Sequence, residues 1–308
     1  MKSVGLILPV GKTIMIAAGD KMDSTQVGVI GLGAMGSVMA PLLTDKSVEV
    51  LGLDPAVCES SSSHIRMVDD IAALSNCAAI ILMLPDGKVV ETVALQLIDT
   101  GFAGLLIDMS SSHPVGTTKL GEQLAQTGLR FIDAPVSGGV KKAAKGLLMI
   151  MAGGEADDIA AATDYLSKLG TVIHVGPLGA GHAMKALNNY VSAAGLAASM
   201  QALATAQQFG ISPDNFVDVI NGATGRNNTT EVKMRPFIIP RDYVSGFALK
   251  LMAKDVGIAS DLMMRNGLDT AITPALNNLL ADALATLGEE ADHTALYEAI
   301  FPTPRREK

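Results

Sequence analysis

The run Val27-Gly28-Val29-Ile30-Gly31-Leu32-Gly33-Ala34-Met35-Gly36 sets glycines at the spacing GxGxxG, between an apolar β-branched segment and a helical one. Gly31 admits a tight turn, Gly33 lets backbone approach a diphosphate, and Gly36 lets the helix pack on the strand. Unpaired amides at the start of that helix, together with its dipole, favour a bound anion. A second run ends Leu51-Gly52-Leu53-Asp54, placing a carboxylate about 20 residues beyond the glycines, where it can accept from ribose hydroxyls. That charge would repel a 2′-phosphate, and no Arg or Lys occurs between Asp54 and Arg66 to receive one. The pattern predicts a dinucleotide site made by Gly31, Leu32, Gly33, Ala34, Met35, Gly36 and Asp54, with NAD favoured over NADP. Each feature alone has a plainer meaning: glycines fill turns, and Asp54 can cap the turn at Pro55.

The elements that must position these groups follow from composition and pattern. A chain of 308 residues is about twice the ~150-residue domain prior, which predicts two domains. Hydrophobic residues make up 49% and charged residues 18%, with mean hydropathy +0.35, so apolar burial can offset chain entropy and disorder is excluded. The net charge of −8 argues against a nucleic-acid partner. The basic runs, Lys141-Lys142 with Lys145 and Arg305-Arg306, read as solvated faces. Two cysteines, Cys58 and Cys77, cannot build a disulfide framework, which favours a reducing, cytoplasmic setting. His64, His113, His174, His182 and His293 fall at no ligand spacing, so no metal site is expected.

From Gln26 onward short β-rich runs alternate with helical stretches, the pattern of a parallel sheet covered on both faces. Strands are predicted at 27–31, 48–53, 65–68, 79–84, 105–108, 129–132, 148–152 and 171–175, with helices at 35–44, 88–98, 115–126 and 155–169. After Gly176-Pro177-Leu178-Gly179 the β-branched runs thin out and Ala, Leu, Met and Gln dominate. Helices are predicted there at 183–209, 213–221, 248–266 and 274–287, divided by Pro213, Pro236, Pro240 and Pro274. No charge occurs from Ala186 to Pro213, yet Asn188, Asn189, Ser192, Gln201 and Gln207 recur, so the stretch reads as a buried helix and no membrane span is expected. Ser60 to Ser63 is loop chemistry. The expected division is an extension at 1–24, a dinucleotide-binding domain at 25–182 and an all-helical substrate and oligomerisation domain at 183–308. The extension reads as poorly packed: Pro9 and Lys12 interrupt its apolar run before it becomes a signal peptide, and Met22 offers an alternative start.

Four groups of residues in order then resemble the motifs of the β-hydroxyacid dehydrogenases, the family of 3-hydroxyisobutyrate dehydrogenase and tartronate semialdehyde reductase. They are Gly31 to Gly36 with Met39-Ala40, Asp133-Ala134-Pro135-Val136-Ser137-Gly138-Gly139, Gly179-Ala180-Gly181 with Lys185 and Asn188-Asn189, and Lys254-Asp255. The resemblance spans nearly everything after residue 25. It implies an α/β N-terminal Rossmann-type doubly wound sheet followed by an all-α C-terminal domain, joined by a long helix. It also implies hydride transfer between a nicotinamide and a small anionic β-hydroxy acid or its semialdehyde, in homodimers or homotetramers. Carried over residue by residue, Lys185 is the acid/base, Asn189 holds the substrate, and Ser137, Gly138 and Gly139 cradle its carboxylate, with Lys185, Asn189 and Ser137 forming the catalytic set. Leu84, Pro85, Ser111 and Lys254 correspond to cofactor contacts. The family often carries Ser-Thr after its fifth strand, whereas this chain has Ser110-Ser111-Ser112, which keeps a hydroxyl at Ser111.

Those roles make chemical sense. Hydride arriving at a carbonyl carbon builds negative charge on its oxygen, so a proton donor is needed there. Lysine is ordinarily too basic, but burial or a second cation such as Lys254 lowers its pKa. Asn189 follows Lys185 by one helical turn, so both reach one ligand. Read blandly, Lys185 snorkels, Asn189 is a polar helix residue and Ser-Gly-Gly is a turn. The polar segment Thr224-Gly225-Arg226-Asn227-Asn228-Thr229-Thr230 marks either a pocket for a polar acid or a surface loop. Two other functions fit the same chain: a catalytically silent dinucleotide-binding or sensing protein, which Lys185 disfavours, and an imine reductase-like enzyme, in which another residue usually replaces that lysine.

Overall fold

The computed structural model describes residues 25–45, 47–57, 62–268 and 271–302. The extension at 1–24 with Met22, Cys58, Ser60 and Ser61, and Arg305-Arg306 lie outside the described residues.

Among the described residues one nine-stranded sheet is built from β1 (Thr25–Ile30), β2 (Val48–Leu53), β3 (Ile65–Met67), β4 (Ala79–Leu82), β5 (Leu105–Asp108), β6 (Arg130–Asp133), β7 (Val136–Ser137), β8 (Leu148–Gly153) and β9 (Gly170–Gly176). Its order is β3-β2-β1-β4-β5-β6-β8-β7, with β9 paired to β8. The strands from β3 to β6 run parallel, while β8 is antiparallel to β6 and β7. The chain starts mid-sheet at β1, winds outward to β3 and returns to β4, so the switch point lies between β1 and β4. Open α/β sheets bind ligands beyond the carboxyl ends of the strands at such a point.

Alternation within the strands assigns side chains to two cores. On β4, Ala79 and Ile81 join Val29, Met39 and Ile107 on one face, whereas Ile80 and Leu82 join Leu97, Leu106 and Leu124 on the other. The first face is covered by α1 (Gly36–Leu43), a short α4 (Gly139–Ala143) and α5 (Ala156–Leu166); the second by α2 (Gly87–Asp99) and α3 (Pro114–Gln126). Cys77 packs in the second core, where burial pushes its thiol up to about 11.

A third core belongs to the C-terminal helices α6 (Ala180–Gln208), α7 (Pro213–Gly222), α8 (Asn228–Val232), α9 (Leu249–Arg265), α10 (Ile272–Leu287) and α11 (Leu296–Ile300), and centres on residues such as Leu196, Met200, Met252, Val256 and Leu280. A π-helical turn, Met234–Ile238, follows α8. No helix among the described residues is long and apolar enough to cross a membrane.

The helix α6 starts at Ala180 rather than near residue 183, although Gly-Ala-Gly is a poor way to begin one. The reason is a carboxylate from another element. Asp133, at the end of β6 and fully buried, accepts from Gly179 N at 2.7 Å and from His182 N at 2.6 Å, satisfying amides that α6 cannot satisfy itself. Gly181 permits the approach, since a Cβ there would lie 2.3 Å from Met151 O and 2.8 Å from Asp133 Oδ2. Burial pushes the Asp133 carboxyl above its usual range, while the His182 side chain and the two amides pull it back. Asp133→Asn turns one of these acceptors into a donor, so unfolding in urea should show a loss of about 2–3 kcal/mol; wild-type stability in that variant would remove Asp133 as the anchor.

Candidate active site

Every loop that shapes the site leaves the carboxyl edge of the parallel strands. After β1, Gly31 takes φ +96°, and a Cβ there would lie 2.3 Å from Met83 O; a Cβ on Gly36 would lie 1.9 Å from Gly31 O. Gly33, by contrast, has open space, with nothing within 4 Å of an added Cβ. The turn and the helix–strand contact thus require glycine, and the middle glycine leaves room for a diphosphate. Asp54, at the end of β2, accepts from Leu32 N at 2.7 Å through Oδ2 and from Ala56 N at 2.8 Å through Oδ1. It caps the Pro55 turn and also ties that turn to the glycine loop. Arg66 is engaged elsewhere, its Nε donating to Glu49 Oε1 at 2.8 Å. After β4, Leu84 N donates to Ser110 Oγ at 2.9 Å, joining the loops that follow β4 and β5. These residues fit a dinucleotide cofactor.

The second half of the site is assembled by Asp255 of α9, only 2% exposed. Its Oδ1 accepts from Ser111 Oγ at 2.7 Å and its Oδ2 from Asn189 Nδ2 at 2.5 Å, so one carboxylate joins the loop after β5 to α6. The neighbouring Lys254 donates from Nζ to Ser111 O at 2.8 Å. One helical turn before Asn189, Lys185 is half-buried, and its Nζ donates to Val136 O at 2.8 Å, immediately before the Ser137-Gly138-Gly139 turn. Burial holds the Lys185 amine below the ordinary lysine range; the Asp255 charge pulls it up and the Lys254 charge pushes it further down. Gly138 and Gly139 take φ +145° and +68°, and both are exposed.

The structure therefore brings Lys185, Asn189, Ser111 and Lys254 into one cluster, with the Ser137 turn beside it. Pro85 is exposed after Leu84. The polar segment at 224–230 divides. Asn227 caps α8 and donates from Nδ2 to Ser199 Oγ at 2.9 Å, Thr229 and Thr230 are buried, and Arg226 is exposed beside Glu231 at 3.6 Å.

Sequence reasoning undervalued three residues. Asp255 was visible only as half of a pair, though a lone acid on an apolar helix face is a signal in itself. His182 was one of five scattered histidines, yet it is fully buried among acids from other elements: Nε2 lies 3.6 Å from Asp108 Oδ2 and Nδ1 lies 3.4 Å from Asp133 Oδ2. Nothing in the local sequence announces that pairing. Lys233 lies just past the polar segment and packs against α6.

Comparison with known proteins identifies the family of this fold. Residues 26–176 match the family model described as the NAD binding domain of 6-phosphogluconate dehydrogenase. Residues 179–300 match the one described as NAD-binding of NADP-dependent 3-hydroxyisobutyrate dehydrogenase. The chain is 35% identical to 2-(hydroxymethyl)glutarate dehydrogenase of Eubacterium barkeri, over 77% of this chain and 81% of that protein. It is 32% identical to the mitochondrial 3-hydroxyisobutyrate dehydrogenase of Mus musculus, over 82% and 80% respectively. The solved structure of Mycobacterium tuberculosis 3-hydroxyisobutyrate dehydrogenase with L-serine superposes with a TM-score of 0.83 at 29% identity, covering 90% of this chain and 99% of that one. With both family models matched in order along the chain and two relatives above 30% identical, the chain belongs to the β-hydroxyacid dehydrogenase family of NAD(P)-binding oxidoreductases, which move hydride to or from a CH–OH carbon.

Proposed function

We propose that the protein oxidises a small acid bearing a hydroxyl on the carbon β to its carboxylate, or reduces the corresponding semialdehyde, with NAD(H) favoured and Lys185 as general acid and base. The observation that carries this reading is the placement of Lys185 Nζ, turned inward to Val136 O at 2.8 Å beside the Asn189, Asp255 and Ser111 cluster. Residues 25–182 hold the dinucleotide through the Gly31 to Gly36 loop, Asp54, Leu84, Pro85 and Ser111, joined by Lys254 from α9; residues 183–308 also complete the substrate site. The three relatives' names share one piece of chemistry: 3-hydroxyisobutyrate, 2-(hydroxymethyl)glutarate and L-serine each carry a hydroxymethyl group next to a carboxylate. That skeleton is the proposed substrate class.

The bound nicotinamide supplies or accepts the hydride. Ser137 Oγ and the amides at Gly138 and Gly139 receive the substrate carboxylate, and Asn189, held by Asp255, orients the reacting oxygen. One Lys185 proton goes to Val136 O, leaving others for the substrate. In reduction the ammonium gives a proton to the oxygen as charge builds; in oxidation the neutral amine takes the hydroxyl proton. Asp54 supports NAD because its charge lies where a 2′-phosphate would need a cation, and Arg66 is held by Glu49.

Four outcomes test this reading. Oxidation requires neutral Lys185, whose pKa is lowered, so kcat/KM for oxidation should rise with pH and level off below the ordinary lysine value of 10.5. Lys185→Arg, charged throughout, should lose about 100-fold or more; a flat pH profile with an active Arg variant rules lysine catalysis out. Asp255 raises the Lys185 pKa, so Asp255→Asn should shift the same limb to lower pH, along with a loss of rate from the freed Asn189. Asp54→Ser should reduce the ratio of kcat/KM for NAD over NADP by about tenfold, and an unchanged ratio would strip Asp54 of that role.

A further inference from the structure

Among the described residues Lys233 is a cation with no anion in direct contact. It ends α8 and opens the π-helical turn: its carbonyl accepts from Phe237 N and Ile238 N at 3.1 and 3.2 Å, and buried Met234 and Ile238 anchor the turn. Insertions of this kind re-aim a side chain and recur at functional sites. Its ammonium is half-buried and forms no ion pair within 4 Å among the described residues; its contact is with Ser192 Oγ, at 3.5 Å. The carboxylate that acts on it from a distance, Asp292, is already saturated by Ser245 Oγ, Thr294 N and Oγ1, and Gly246 N. Burial accordingly holds the Lys233 amine below the ordinary lysine range. An ammonium withdrawn from water without a partner is costly, and a ligand anion would remove that cost.

Position identifies the ligand. Ser192 follows Lys185 by seven residues on α6, two turns along the same face, with Asn189 between them, so the Lys233 ammonium lies roughly 10 Å along the helix from the proposed proton donor. Lys185, Asn188 and Ser192 all remain partly exposed, which keeps this face open to a small molecule. A single lysine matches a single negative charge. A phosphate, with about −1.5 to −2, draws several cationic or amide donors, and Lys233 and Ser192 provide one ammonium and one hydroxyl.

We propose that Lys233, with Ser192, binds a second carboxylate on the substrate, so that the site selects dicarboxylic β-hydroxy acids over monocarboxylic ones. This rests on the hydroxy-acid reading above and adds the end of the substrate remote from the reacting carbon. Oxidation of 2-(hydroxymethyl)glutarate and of 3-hydroxyisobutyrate is compared in wild type, Lys233→Met and Lys233→Arg. A hydrogen-bonded charge pair predicts a wild-type kcat/KM ratio favouring the diacid by about tenfold or more, expressed mainly in KM. Lys233→Met should abolish that ratio, and Lys233→Arg should restore most of it. The same ratio in wild type and Lys233→Met overturns the proposal. Calorimetric titration of glutarate and isobutyrate into each NADH-loaded protein separates the two readings: no turnover of either acid defeats the dehydrogenase assignment, while glutarate binding that weakens about tenfold in Lys233→Met still supports the second carboxylate site. Equal glutarate affinity in wild type and Lys233→Met overturns it, whatever the turnover.

Discussion

A carboxylate at the end of β6, Asp133, accepts the first free amides of α6, and the rest of the site inherits its position from that contact. The interaction is strong for two reasons that add. The amides have no partner inside their own helix, and they sit at its positive end, so an anionic acceptor satisfies both demands in a site where water cannot compete. Everything that α6 carries is then measured from a fixed origin. Lys185 stands one turn beyond the anchored amide of His182, Asn189 a turn further and Ser192 beyond that, all along one helix face. A lysine side chain has many rotamers, but its root here is as fixed as the sheet.

One anchor fixes where α6 starts, and a second fixes how the lobes face one another. Asp255 receives the Ser111 hydroxyl from the sheet and the Asn189 amide from α6, while its neighbour Lys254 reaches back to the Ser111 carbonyl. The seam is therefore closed by hydrogen bonds to a charged group and not by apolar packing alone, as the three separate cores already indicate. The same carboxylate acts on the Lys185 amine. Burial drives the Lys185 amine toward neutrality, and the Asp255 charge limits how far that goes. The acid and base role proposed for Lys185 calls for opposing pulls of this kind.

Much of this was legible in the sequence because the relevant signals are local. The glycine spacing, the β-rich runs at 48–53 and 105–108, and the helical pattern at 213–221 each depend on a dozen residues or fewer, and the structure has them almost unshifted. What was not legible is either too short to have a period or made by distant partners. The two residues of β7 and the five of α4 and α8 contain too few positions for a pattern. The early start of α6 depends on a carboxylate 46 residues upstream, and Asn189 meets its partner 66 residues downstream. Spacing arguments register Lys185 and Asn189 as neighbours on a helix but carry nothing about Asp255, which holds Asn189 in place.

A net charge of −8 does not oppose the anionic substrate proposed here, because the charge is unevenly distributed. At physiological salt, charges separated by more than about 8 Å are largely screened from one another in water, so an incoming acid responds to the groups around the mouth and not to the total. There the balance is reversed. Lys185 and Lys254 meet at the seam with Lys233 farther along α6, and the carboxylate among them, Asp255, has both oxygens engaged by neutral donors. Many of the acids that make the total negative sit on solvated faces, such as Glu289 and Glu290 beside Lys250 or Asp214 and Asp218 beside Arg235. Lysines from α6, the end of α8 and α9 thus stand beside one helix face, which makes any electrostatic attraction of an anion there local.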